Sequence, residues 1–381
     1  VFDAACITES AEPHVIVEAA RALVAGAARP VRHVMVWLAE QPGLDLAALC
    51  APLSTLGVPV TGAVFPTLID GTTLRARGAF VFTFERPTRR LVLHELFAAR
   101  ELHAARLRRE LGGYRGPRTL LALVDGRAAG SASHLVDTLQ PPFLSPELSI
   151  CGGGAGYWVV DHGPCLFTED EVLPDGGAIL LEADERATVT IAHGWTELAG
   201  PFVASRCRDT TVLELDWRPA IDVYRETVAR ATGRPIDELQ FPSVCKLFPL
   251  GLLRRRDPSV IRDPVVVTED GGLMTLGEVQ PQALVAILEA VPPALLDAAE
   301  GAARAVAVGA RSEAAPPRAL AFDCVTRVDS LGARYPEELQ RIAAGLGPGS
   351  RWYGALSLGE LASRADRLVD WYNKSLVIVG R

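Results

Sequence analysis

A chain of 381 residues, 49% hydrophobic and 22% charged, has the composition of a globular protein and the length of two domains or one large one. Its formal charge of −8 argues against a nucleic-acid partner, because the basic run Arg254, Arg255, Arg256 is too short to make a basic face. Apolar stretches break well before the ~18 residues of a membrane helix, the first residues lack the features of a signal peptide, and seven scattered cysteines suit free thiols better than a disulfide framework. The expectation is a cytoplasmic chain with no membrane partner.

Polar residues followed by apolar ones at helical spacing predict a helix over 11–26. The run VRHVMVWLAE (31–40) predicts a buried strand, and LDLAALCAPLSTLG (44–57) a helix closed by Gly57. VPVTGAVFP, GAFVFTFE and RRLVLHELF follow, the last two with clear strand character. Next come an amphipathic helix over 98–113, a strand over 118–126 and a short helix in GSASHLVDTLQ. Strands are expected in LSICGGGAG, CLFTED, GAILLEA, ATVTIAHGW and TTVLELDW, then a helix over 220–233. RPIDELQFPSV reads as a boundary, which sets the expected domains at 1–233 and 234–381. Helices are expected around 281–290 and 293–309, and GARSEAAPPR is the most linker-like piece of the chain. Strand ALAFDCV, a helix over 336–346, strand YGALSLGEL and strand NKSLVIVG complete the chain. The expected fold is α/β (α+β), two interlocked domains with mixed, largely antiparallel sheets flanked by helices.

The two ends follow one plan: strand, helix, glycine-bearing strand (TGAVFP or YGALSL), polar turn, strand. An internal duplication explains this, and so does the commonness of such arrangements.

The histidines (14, 33, 94, 103, 134, 162, 193) and the cysteines form no metal-binding spacing. GGGAG (152–156) has Tyr157 where a dinucleotide-binding loop needs glycine, so no such cofactor is expected. Gly152, Gly153 and Gly154 either pack closely against a neighbouring strand or line a pocket. Cys324 ends a predicted strand with Arg327 three residues on. A nearby cation favours the thiolate, so the readings are a catalytic thiol, a pocket wall or inert core. His193, in AHGW, is read as a haem ligand, a titrating group or a hydrogen-bonded histidine at a strand end. Asp161, Asp323, Glu278 and Glu360 lie nearest to predicted strand ends, and two of them could pair for acid–base chemistry.

In order along the chain, LLALVDG, ICGGGAG, CLFTED, HGW, LELDWRPAIDVY, FDCVTR, YGALSLGE and YNKSLVIV resemble the FIST proteins, named for F-box and intracellular signal transduction. The resemblance runs from about residue 30 to 381. It departs at TGAVFPTLIDG, where the family often has a Gly-Glu form and this chain has Pro66 and no Glu. The resemblance implies a sensory module for a small ligand such as an amino acid, signalling through a separate protein. The residues it implies at the ligand are Gly152, Gly153, Gly154, Cys324, Arg327, Tyr353, Gly354, Ser357, Glu360 and Asn373. Arg327 would take a ligand carboxylate and Glu360 an ammonium group. Some bacterial relatives resemble haem-binding nitric-oxide sensors, which would make His193 the iron ligand and haem the cofactor. A biosynthetic enzyme using Cys324 or a carboxylate pair is the remaining alternative.

Overall fold

A computed structural model describes the chain apart from residues 97–98, 112–115, 128–134, 137–138, 140–147, 160–162, 175, 184, 237–240, 255–258, 311–315 and 364–367. The helix expected in GSASHLVDTLQ, and with it Asp161, His134 and His162, falls wholly or largely outside the described residues.

The first module comprises β1 (Ala4–Thr8), α1 (Pro13–Ala25), β2 (His33–Ala39), α2 (Ala47–Ser54), β3 (Val60–Phe65), the hairpin β4 (Thr67–Asp70) and β5 (Thr73–Arg75), and β6 (Ala79–Phe84). A second follows with β7 (Thr88–Leu93), α3 (Arg100–Leu111), β8 (Arg118–Asp125), β9 (Leu148–Ala155), the hairpin β10 (Leu166–Thr168) and β11 (Val172–Leu173), and β12 (Ala178–Ala183). The third opens with β13 (Thr188–Ala192). An inserted unit interrupts it: β14 (Thr196–Arg208), β15 (Thr211–Leu215), β16 (Arg218–Pro219), α4 (Ala220–Thr232), α5 (Phe241–Val244), β17 (Leu250–Leu252), β18 (Val260–Arg262), β19 (Pro264–Val267), β20 (Leu273–Thr275) and β21 (Leu284–Glu289). The module resumes with α6 (Pro292–Gly309), β22 (Arg318–Cys324), α7 (Val325–Leu331), α8 (Tyr335–Leu346), β23 (Arg351–Ser357), the hairpin β24 (Glu360–Ser363) and β25 (Val369–Tyr372), and β26 (Leu376–Gly380).

Each module builds its sheet in one way. A parallel pair (β2–β3, β8–β9, β22–β23) is flanked by two antiparallel strands on the side of its first member. The glycine strand at the other side is covered by the hairpin of another module: β10–β11 on β3, β24–β25 on β9, β4–β5 on β23. The exchange closes a ring, so the likeness of the two chain ends is real and occurs a third time in between. Register makes Gly62, Gly152 and Gly354 equivalent, opposite Val36, Ala122 and Ala321. The three glycine strands touch one another at the centre. Trp37, Leu123 and Phe322, the next residues along, belong to the same buried core, with Trp37 and Phe322 rings 5.2 Å apart.

In the inserted unit the sheet order runs from β18 to β19, which are joined by Asp263 alone. The sheet therefore closes on itself at a covalent corner, as in a small barrel. Here sequence and structure differ. The helix expected around 281–290 is strand β21, held between β14 and β17. Its apolar run, LVAIL, is too short for periodicity to separate helix from strand. The sequence reading also passes over β1, β14 and α7.

Gly153 shows what the glycine triplet is for. A Cβ there would lie 2.5 Å from the Phe322 ring and 3.1 Å from Ser357 Cβ. Gly153→Ala should therefore overpack the centre and lower stability by about 1–3 kcal/mol. Chemical denaturation checks this, and an unchanged midpoint would mean that the core has room to yield.

Candidate functional site

The carboxyl ends of β22 and β23 carry Asp323, Cys324 and Ser357, and β24 begins with Glu360 directly opposite Gly153. Strand ends of this kind are the usual sites in α/β sheets. Here they meet the turn Asn373–Lys374–Ser375, in which Lys374 has a left-handed φ of 54°. The side chains are almost wholly buried.

Ser357 Oγ donates to Glu360 Oε1 (2.8 Å), and Ser375 N–H donates to Glu360 Oε2 (3.3 Å). Cys324 N–H donates to Ser375 O (3.0 Å), while its thiol lies 3.2 Å from Thr326 Oγ1. Arg327 Nε donates to Glu338 Oε1 (2.8 Å), and Nη2 reaches the same oxygen and Leu295 O. Its Nη1 donates to His193 O (2.6 Å) and Lys374 O (3.3 Å). Asp323 lies 3.3 Å from Arg327 and accepts the Tyr335 hydroxyl at 2.6 Å. Lys374 Nζ pairs with Asp263 at the barrel corner (3.0 Å) and donates to Lys246 O (2.9 Å). Asn373 Nδ2 donates to Leu276 O (2.7 Å) and lies 3.4 Å from Ile261 O.

The structure thus joins Cys324, Arg327, Ser357, Glu360 and Asn373 in one network, with Gly152 and Gly153 on the neighbouring strand. Tyr353 and Gly354 lie toward the other end of β23. The network is closed on itself. All five N–H donors of Arg327 already have protein acceptors, so none is left for a ligand carboxylate. Likewise, the Cβ-side space of Gly152, Gly153 and Gly154 is taken by Ala122, Phe322 and Leu358. Sequence reasoning missed Lys374, Asp263 and Glu338. No spacing marks Asp263 or Glu338, whereas Lys374 stands inside a stretch already singled out.

Two cations, Arg327 and Lys374, share this interior with Asp263, Asp323, Glu338 and Glu360. Burial, with Glu338 close by, pushes Asp323 well above the usual carboxylate range. Burial and the Asp323 charge do the same to Glu360. Both therefore hold a proton to higher pH than an ordinary carboxyl. Burial and Glu360 push the Cys324 thiol up to about 12, so it stays protonated and is not an activated nucleophile.

His193 does not fit the part of a haem ligand. Its Nδ1 accepts the Trp195 N–H at 2.9 Å, and its Nε2 lies 3.3 Å from Ser259 Oγ. Burial lowers its pKa to about 4, so the ring is neutral and both nitrogens are engaged. Among the described residues no group of three His, Cys, Asp or Glu side chains is placed to hold a metal. No helix there is long and apolar enough to cross a membrane.

The FIST N domain matches residues 40–218 and the FIST C domain residues 220–363, together most of the chain. The chain belongs to the FIST family. FIST domains are associated with signal transduction and sensing. No curated protein matches this FIST chain. The junction of its two matched domains falls inside the inserted barrel, at the start of α4.

Two predictions follow from the network. Because folding raises the Glu360 pKa, the native chain keeps a proton over a pH range in which the unfolded chain has lost it. That stability is complete below the ordinary carboxyl pKa and is lost as pH rises toward the raised value. Glu360→Gln, which removes the titrating group, should flatten the fall in unfolding free energy as pH rises above the ordinary carboxyl range; an identical slope in both proteins would show that folding does not raise the Glu360 pKa. Arg327→Met should cost about 3–5 kcal/mol, because it leaves Glu338 buried without its cation. A loss under 1 kcal/mol in urea unfolding would rule that pairing out.

Proposed function

We propose that this FIST chain is a sensory module that takes a small zwitterionic molecule, of amino-acid type, in a cleft at the seam of its two matched domains and passes the event to a separate protein. The observation that carries the reading is a cleft of about 490 Å³ lined by Asp70 and Gly71 of the β4–β5 turn, Ala343 and Ala344 of α8, and Arg351 and Tyr353 of β23. Ligand sites favour such boundaries between units. Asp70 and Gly71 belong to the FIST N match, the others to FIST C.

The lining suits both ends of a zwitterion. Arg75 binds Asp70 through Oδ2 only, at 2.9 and 2.8 Å, which leaves Oδ1 for an ammonium group. The last turn of α8 adds the negative end of a helix dipole. Arg351 is exposed and suits a carboxylate. Tyr353, half-buried against Phe2, Phe80 and Phe82, offers a fixed wall. Tyr353 is also the one residue of the expected ligand set that reaches this cleft. Its strand continues to Ser357 and the buried network, so the cleft and the network share one rigid element.

Native mass spectrometry of the purified protein and thermal shifts with an amino-acid panel test the reading. A binder should raise the melting temperature, and Arg351→Ala and Asp70→Asn should each weaken it tenfold or more, about 1.4 kcal/mol. A binder unaffected by both changes would place the site elsewhere.

A further inference from the structure

A second cleft sits at the carboxyl ends of β2 and β3, and the threefold plan of the chain shows that it is a departure from the plan. Glu40, Gly126 and Val325 directly follow the equivalent strands β2, β8 and β22. Each stands at the corner where its parallel pair ends. At Gly126 the corner is shut, because Leu358 fills the space that side chains at Gly126 and Gly156 would take. At Val325 the chain passes straight into α7. At Glu40 the corner is built differently.

The connections between glycine strand and hairpin differ in the same way. They are Pro66 alone in the first module and residues 358–359 in the third, but residues 156–165 in the second. This longer loop is anchored to the Glu40 corner. The Glu40 carboxylate accepts the backbone N–H groups of Trp158 (2.5 Å) and Val159 (3.0 Å), and the Tyr157 hydroxyl donates to Pro164 O (3.1 Å). Between the loop and the β2–α2 connection lies a cleft of about 420 Å³, lined by Gln41, Leu44, Asp45, Tyr157, Pro164 and Val172 among others.

We infer that this cleft is a binding site for a small organic amine with an apolar body. Its volume is that of a small-molecule site. Leu44, Pro164 and Val172 offer apolar contact, and Tyr157 an aromatic wall. Among the described residues Asp45 is the one carboxylate in the lining; it is exposed and uses Oδ1 to accept the Ala48 N–H (3.1 Å), so its second oxygen is left for a cation. Burial pushes the Tyr157 phenol up to about 12, so it adds no charge of its own. No cation among the described residues lines the cleft to hold a carboxylate, unlike the seam cleft with Arg351. The two sites therefore select opposite chemistry around a shared ammonium group.

Isothermal titration of the full chain with phenethylamine, phenethyl alcohol and phenylacetate tests this. The amine should bind saturably and at least tenfold more tightly than the alcohol, with phenylacetate weakest. Asp45→Asn should erase the preference of amine over alcohol while the protein stays folded, since Asn caps a helix as well as Asp. Glu40→Gln should weaken the amine by releasing the loop, and Arg351→Ala should leave it unchanged, which separates this site from the seam cleft. Absence of saturable amine binding, or a preference that survives Asp45→Asn, overturns the inference.

Discussion

The exchange of hairpins is the constraint on which the structure rests. A glycine strand at a sheet edge exposes unpaired backbone groups and no side chains to shield them. In each module that edge is covered by a hairpin from another, and the three exchanges close into a ring. No module completes its own sheet. The glycines are the price of closure: with no Cβ, three strands approach one centre, and Phe322 and its neighbours fill the space. Function is therefore left to the positions where the modules differ, at loops and corners, while the centre stays fixed.

The buried network is the second such difference. The third module ends its parallel pair in Asp323–Cys324 and Ser357, with Glu360 beside them; β8 ends in Asp125 opposite Ala155, and β2 and β3 end in Ala39 and Phe65 at the matching register. Burying two cations with four carboxyls is costly unless protons balance the charge. The raised values of Asp323 and Glu360 supply that balance. His193 pulls the other way: held neutral when folded, it must gain a proton as pH falls from 6.5 toward about 4, and stability falls with it. Acid stress enters through His193, and stability is lost as pH rises through the raised values of Asp323 and Glu360, so the joint between barrel and third module is most secure between them.

Much of this was legible in residues. VRHVMVWLAE and ALAFDCV announced buried strands, and YGALSLGEL announced a glycine strand ending in an acid. The glycine triplet pointed to close approach, which is what Phe322 enforces. The threefold plan was half visible, because the inserted barrel separates β13 from α6 and, although the middle module keeps the equivalent glycine, residues 156–165 separate its glycine strand from its hairpin. Strand β21 was misread because a run of five apolar residues carries no period. Glu360 and Arg327 were found as members of one cluster, but their partners were not. Hydrogen bonds such as Arg327 to His193 O cross 134 residues of sequence and leave no local trace.

Strand β23 joins these threads. One end of it, Arg351 and Tyr353, lines the seam cleft; the other, Ser357, holds Glu360. A β-strand paired on both sides moves as a unit, and β23 lies between β22 and β4. Movement that follows occupancy of the cleft would therefore be felt at Ser357 and, through Ser375, at the Lys374 turn. That turn is poorly suited to gradual adjustment. Lys374 is left-handed, fully buried and tied to the barrel corner, and its carbonyl serves both Arg327 and Trp195. Shifting it breaks whole hydrogen bonds in a low-dielectric interior rather than stretching many slightly. If the cleft takes a ligand as proposed, a network that yields only by breaking whole hydrogen bonds is the kind of all-or-none element that passing the event to the barrel requires.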